Sequence, residues 1–219
     1  MCWNQDISIN TFLFACLALL FIFLTNTFTK YKTKTFDNPL VYLLLLEGAG
    51  MQLIEFFLWR NLKNKSMNEL LSKIASFFVF IQPVTLMLMI PDISIKWAFI
   101  FLYFIFYIFY FGYRGIYNPI IYHTSIGTNG HLSWEWMNYK GYENIFLFFY
   151  LLFFVTSLLF IKNTLLCLFV LISLIISLFL YYKYNTFSSM WCWYVNLFLL
   201  YFIIDILIIK PFYEYNGLC

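Results

Sequence analysis

The sequence predicts an all-α, polytopic integral membrane protein: a bundle of seven transmembrane helices. Three observations carry this. Of 219 residues, 63% are hydrophobic and only 11% charged, whereas water-soluble domains carry about a quarter charged residues. The mean hydropathy of +0.82 is concentrated in separate runs close to the ~20 residues a helix needs to cross a hydrocarbon core. The runs also lack the ten-residue alternation of outer-membrane strands. Seven spans of that length fill the chain, which excludes a large extramembrane catalytic domain.

The first run, 7–28, is preceded by a single charge, Asp6, and no small-x-small cleavage site follows it. It therefore reads as the first membrane helix and not as a signal peptide. Further runs cover 39–59, 72–90, 96–113, 145–161, 164–182 and 187–209. Short connections carry the breakers and charges between them: Lys30, Lys32, Lys34 and Asp37 before Pro39, Pro91 and Asp92 after the third run, Lys162 and Asn163 after the fifth, and Lys183 before the seventh. One connection is long, 114–144, and the whole chain reads as a single transmembrane domain.

An odd number of spans places the termini on opposite sides, with the N-terminus beside the second, fourth and sixth connections. That N-terminal face carries seven basic residues (Arg60, Lys63, Lys65, Lys73, Arg114, Lys140 and Lys183) against six on the other (Lys30, Lys32, Lys34, Lys96, Lys162 and Lys210). The positive-inside rule therefore assigns no orientation. A net charge of +3, scattered between apolar runs, gives no nucleic-acid surface. Five cysteines without CxxC spacing give neither a disulfide scaffold nor a structural zinc site. The lipid bilayer is the partner the composition demands. A small polar solute or ion and a second copy of the chain are further candidates, and no cofactor is implied.

Three carboxylates fall inside apolar runs: Glu47 and Glu55 in the second and Asp205 in the seventh, with no base well inside any run. An ionised carboxylate at membrane depth costs several kcal/mol, so it must turn inward, bind a proton, or meet a cation. On a helix Glu47 and Glu55 sit about 80° apart and Gln52 about 60° further round, one polar face beside Gly48 and Gly50. Gln82 precedes Pro83 in the third run, where the missing N–H opens a polar notch. These four, Glu47, Gln52, Glu55 and Gln82, form a candidate pathway or pocket; the alternative is a buried network that fixes helix packing. Asp205 lies near Lys210 and reads as a structural, interfacial pair.

Direction of travel sets depth. The second helix ends at Trp59, so Glu55 lies near the N-terminal face and Glu47 near the midplane. Cys2, Trp3, Trp191, Cys192 and Trp193 share Glu55's depth, and the long connection brings His131 and Trp134 there. This forms a candidate N-terminal-face cluster, with an interfacial aromatic belt as the alternative. His131 and Glu135 are four apart and His123 is near, but loop spacing defines no metal site. Cys2 and Cys192 share the face and either pair or are simply buried. A retinal pigment is excluded, because 187–209 has no lysine for a Schiff base.

Four short motifs stand out: Met1-Cys2-Trp3 at the start, Glu55-Phe56-Phe57-Leu58-Trp59, Gly130-His131-Leu132-Ser133-Trp134, and Ser189-Met190-Trp191-Cys192-Trp193. With them the chain resembles an uncharacterised seven-helix membrane family, a domain of unknown function found in large DNA viruses, protists and some bacteria. The resemblance implies no activity, cofactor or catalytic residue, but all four motifs fall on the N-terminal face. The leading functional reading is a small channel or transporter-like protein that moves protons, cations or a small polar solute by way of the second-helix carboxylates. The alternatives are a membrane-embedded enzyme acting on a lipid-like substrate through Glu55, His131 and Cys192, and a receptor-like or structural protein.

Overall fold

A computed structural model describes residues 4–117, 119–137 and 143–216. The protein is an all-α bundle suited to a bilayer. Helices α1 (Gln5–Phe28), α2 (Pro39–Arg60), α3 (Lys65–Leu88), α4 (Ile93–Tyr117) and α6 (Thr164–Tyr181) are each long and apolar enough to cross a membrane. So is the final composite of α7 (Phe187–Trp193), α8 (Val195–Ile204), a π-helical turn (Asp205–Ile209) and α9 (Lys210–Tyr215). That gives six such helices among the described residues. Helix α5 (Glu143–Phe160) has a shorter apolar stretch, Ile145–Phe160, near the lower limit for a span.

Asparagine starts most of these helices. Asn4, Asn38, Asn64 and Asn163 each accept a hydrogen bond from a first-turn N–H of α1, α2, α3 and α6, satisfying a donor that the helix cannot. The Asn64 cap moves the start of α3 to Lys65, ahead of the apolar run at 72–90. Hydropathy misses that first stretch because it is largely polar: Lys65 and Ser66 are exposed, and Asn68 is buried against the hairpin. Likewise, Asp92 caps Ile95 and α4 continues to Tyr117, so Arg114 is a buried helix residue and not the start of a connection.

Helix α2 is the hub. It packs against α1, α3, α7 and α8, and its buried residues include Glu47, Gly48, Gln52 and Glu55. Small buried residues of α1, Ser8, Ala15 and Ala18, supply little bulk at that face and so allow close approach without a hydrophobic drive between helices. Pro83 lies inside α3 and leaves the i−4 carbonyl without its usual donor. At the neighbouring Phe80 carbonyl, Tyr103 of α4 donates a hydrogen bond of 2.6 Å.

The long connection contains a small antiparallel hairpin, β1 (Thr124–Ile126) with β2 (Leu132–Trp134), in the register Thr124 to Trp134. Its turn uses Gly130 at φ +81°, a conformation open to glycine and strained for most other residues. The hairpin is held from two sides. Asn68 of α3 donates to the Thr124 carbonyl and accepts from the Thr124 N–H, each at 2.9 Å. Asn129 donates to Thr186 at 2.8 Å and Asn185 donates to Ser133 at 2.9 Å. The start of α3, the hairpin and the α6–α7 connection therefore meet on one face. Asn163, between α5 and α6, donates to the Thr35 carbonyl between α1 and α2 at 3.1 Å. Lys210 reaches the Lys32 carbonyl there at 2.9 Å.

Candidate functional site

Glu47 lies eight residues into α2, about 12 Å from Pro39 and about 20 Å from Arg60 along the helix axis. It is only 6% exposed. Thr85 of α3 donates to Glu47 Oε1 at 2.7 Å, while the buried Oε2 has no hydrogen-bond partner among the described residues. One turn back along α3, the Gln82 side-chain carbonyl accepts 2.9 Å from the hydroxyl of Tyr150 on α5, a fully buried pair. Glu47 and Cys192 both lie within electrostatic range of the Tyr150 phenol. The Cys192 thiol contacts Gln82 and is within electrostatic range of Glu55, which is itself completely buried. A polar row thus crosses the centre of an otherwise apolar bundle.

The α2–α3 seam divides two cavities. On one side, Gly48, Gln82, Ser173, Trp191 and Cys192 help to line a small chamber of about 60 Å³, enough for a few water molecules. On the other, Glu47, Gly50 and Thr85 line a wider groove of about 750 Å³, walled by apolar side chains of α2, α3 and α4. Two nearby glycines of α2 let neighbours come close on different sides, Gly50 at α3 and Gly48 at α8. A Cβ on Gly48 would meet Val195 Cγ2 at 2.6 Å, and one on Gly50 would meet the Phe78 ring at 2.9 Å.

Comparison with protein-family models, curated proteins and solved structures found no match in any of the three. The function must be read from these side chains alone.

The polar face predicted for α2 addresses two different neighbours. Gln52 Oε1 accepts from Thr11 of α1 at 3.3 Å, whereas Glu47 faces Thr85 of α3. An arc of about 140° is too wide to meet one partner helix when helices surround α2. Of the N-terminal-face residues, Trp191 donates to Ser173 at 3.1 Å and packs edge-on against Phe154 and Tyr150, between α5 and α6. Trp193 packs edge-on against Tyr194. Trp134 is buried and stacks on Trp136, ring centroids 5.2 Å apart and planes 11° apart. Trp97, by contrast, is largely exposed at the start of α4, as a belt tryptophan would be. His131 sits beside the hairpin turn, edge-on to Tyr181 at 5.7 Å. Cys2 and Trp3, and with them a Cys2–Cys192 pair, lie outside the described residues.

The His123, His131 and Glu135 spacing makes no helical turn, since β2 lies between His131 and Glu135. Among the described residues, no three His, Cys, Asp or Glu side chains group as a metal site. His123 and Glu135 instead line a separate open basin of about 430 Å³ with Lys65, Glu69 and Tyr122. Burial there pushes the Tyr122 phenol above its usual range. Asp205 pairs with Lys210 at 3.0 Å, and the Lys210 N–H donates to the Asp205 carbonyl, the i→i+5 bond of the π turn. Sequence reasoning missed Thr85, Tyr150 and Tyr103. Threonine and tyrosine are common in this apolar chain, and only their partners single them out.

Proposed function

We propose that the chain is a seven-span membrane transport protein in which Glu47 is the group that takes up and releases a proton, a cation or a small polar solute. The reading rests on one observation: a carboxylate close to the middle of a span holds one oxygen fixed by Thr85 and keeps the other buried without a partner among the described residues. A purely structural carboxylate would be expected to satisfy both oxygens, because an unmet acceptor in a dry interior costs about 1–3 kcal/mol. Tyr150, Gln82 and Cys192 extend the polar row toward the second cavity. They are the route by which a proton or hydrated ion would pass the seam. The resemblance to the uncharacterised seven-helix family fits this reading without adding to it.

The test is flux in proteoliposomes containing the purified chain, with a pH-sensitive dye inside and imposed proton, sodium or potassium gradients. Flux that disappears in Glu47→Gln, with the variant still monodisperse and helical, supports transport. Unchanged flux in that variant, or none in the wild type under any gradient, leaves Glu47 as a packing residue. An enzymatic reading has less behind it: among the described residues Cys192 lines the small chamber and His123 and Glu135 the open basin, and neither lining includes Glu55 or His131.

A further inference from the structure

Where α1 ends and α2 begins, an open basin of about 480 Å³ is lined by Phe23, Asn26, Thr27, Phe36, Asp37 and Tyr42, among others. Its volume falls in the size range of small-molecule sites. Phe23, Asn26 and Thr27 belong to the last two turns of α1, Asp37 to the connection and Tyr42 to the first turn of α2. The basin therefore sits at the end of both spans, at the depth where head groups and aromatic side chains meet. Asp37 is the one charged residue of its lining among the described residues; it is exposed, and its side chain has no protein partner among them. Nearby bases are engaged elsewhere, Lys30 with Glu214 and Lys210 with Asp205. The side chains of Asn26 and Thr27 are also committed. Asn26 donates to the Thr33 carbonyl at 3.1 Å and accepts from the Thr33 N–H at 2.8 Å, and Thr27 donates to the Phe23 carbonyl at 2.8 Å. Tyr42 stands edge-on to Phe23, centroids 6.0 Å and planes 81° apart, and is tilted by 57° against Phe36 at 4.9 Å. Phe36 is buried behind Tyr42, whereas Phe23 is 50% exposed and Tyr42 is half-buried, so these two rings present surface to the basin.

We propose that this basin receives the trimethylammonium end of a phosphocholine head group, that of a choline lipid in the adjoining leaflet. An exposed carboxylate without a protein partner beside accessible ring surface selects a cation, and an anionic group would meet Asp37 as a like charge. The kind of cation follows from the rest of the lining. A primary ammonium brings three N–H donors, and Asp37 is the one uncommitted carboxylate they would find. A quaternary ammonium has no N–H to satisfy, and its methyl groups pack on Phe23 and Tyr42. The phosphate follows from the connection itself. Lys32 and Lys34 are exposed there and make no ion pair among the described residues. They would repel a simple cation, whereas the phosphate of a phosphocholine head gives them a counter-charge. Half-exposed Phe23, inside the apolar run of α1, offers the first methylenes of a lipid tail a surface to follow. No residue of the polar row between α2 and α3 takes part, so the proposal is independent of transport.

The test is lipid retention by the full chain. It is assembled in nanodiscs of equal parts phosphatidylcholine and phosphatidylethanolamine with matched tails, transferred to mild detergent, and the lipids that stay bound are counted by mass spectrometry. Retention of phosphatidylcholine over phosphatidylethanolamine by about threefold or more is expected. Phe23→Leu, which keeps an apolar contact and removes the ring, and Asp37→Asn, which keeps the shape and removes the charge, should each bring that ratio toward one. Phe23→Tyr should preserve it. A second arm measures radiolabelled phosphocholine on the chain in phosphatidylethanolamine nanodiscs, with empty nanodiscs as the blank. Phosphocholine binding that Phe23→Leu weakens, without any lipid preference, would keep the head-group assignment and overturn its lipid source. Equal retention of the two lipids together with no phosphocholine binding overturns the whole proposal without recourse to any variant. A choline preference that both Phe23→Leu and Asp37→Asn leave untouched does so too, since it places the selectivity elsewhere on the surface.

Discussion

Thr85 Oγ1 and Glu47 Oε1 are joined by a 2.7 Å hydrogen bond between α3 and α2, and this bond decides which carboxylate oxygen stays available. Hydrogen bonds between membrane helices average about 0.6 kcal/mol and reach about 1.7. Thr85→Val, which keeps shape and removes the donor, should therefore destabilise the fold by about 1 kcal/mol. The same substitution in a Glu47→Leu background should cost clearly less. A double-mutant cycle of unfolding in mixed micelles measures the difference, and a coupling of zero would mean that the pair does not bind the two helices together.

The acids of α2 were legible in the sequence because a charge inside an apolar run stands out against its neighbours. Their partners were not. Thr85 and Tyr150 differ little from the many other hydroxyl residues of the chain until the crossing of α3 with α2 and α5 places them. Helix existence followed hydropathy, but the ends of α3 and α4 did not, because Asn64 is an exposed polar cap and Asn68 and Arg114 are polar residues buried by protein and not by lipid. The hairpin was invisible for a related reason. Its strands are three residues each, too short for periodicity to register, and side chains of α3 and the α6–α7 connection help to hold it.

Gly48 sets the approach of α8 to α2. Because a methyl group there would come to 2.6 Å from Val195 Cγ2, Gly48→Ala should lower stability by about 1–3 kcal/mol through overpacking. The partner atom belongs to one side chain, so Val195→Ala should restore most of the loss. Thermal unfolding of the two single variants and the pair in detergent checks this. A lack of rescue would place the strain in the backbone and not at Val195.

Asn68 acts toward Thr124 as a neighbouring strand would, giving one donor and one acceptor to its backbone. Asn68→Ala removes both at a site where neither protein group has water as a substitute. The expected result is faster amide hydrogen exchange over 124–134 with exchange in α2 unchanged, a local loosening and not global unfolding. Uniformly faster exchange would show that the hairpin is a structural part of the bundle itself.

The π turn brings Lys210 back to Asp205, but the lysine also donates to Thr33 Oγ1 at 2.8 Å and to the Lys32 carbonyl at 2.9 Å. The two partners are therefore unequal. Asp205→Asn should change stability by less than about 1 kcal/mol, since the pair is partly exposed and Lys210 keeps its other acceptors. Lys210→Ala should loosen the α1–α2 connection, seen as faster protease cleavage between residues 29 and 38. Equal effects of the two substitutions would reduce Lys210 to a simple ion-pair partner.

The topology turns on α5, whose apolar stretch is shorter than the other spans. It leaves the long connection that holds the hairpin and ends at Asn163, which is bonded to Thr35. The hairpin itself is tied to the starts of α3 and α7 through Asn68, Asn129 and Asn185. If α2, α3 and α6 all cross, the α2–α3 and α6–α7 connections share the hairpin's side, and the α1–α2 and α5–α6 connections share the other. Helix α5 then has to cross as well, although a 16-residue apolar stretch is only about 24 Å long, because flanking side chains and local thinning of the bilayer accommodate a short span. Single cysteines at Thr128 and Lys162, both exposed, placed in a background with the native cysteines replaced, should react with a membrane-impermeant maleimide from opposite sides. Labelling of both from one side would reduce the count to six. It would also put both termini on the same side and remove the alternation on which the depth of the residues after α5, Trp191, Cys192 and Trp193, rests, while leaving Glu47 and Glu55 of α2 where they are.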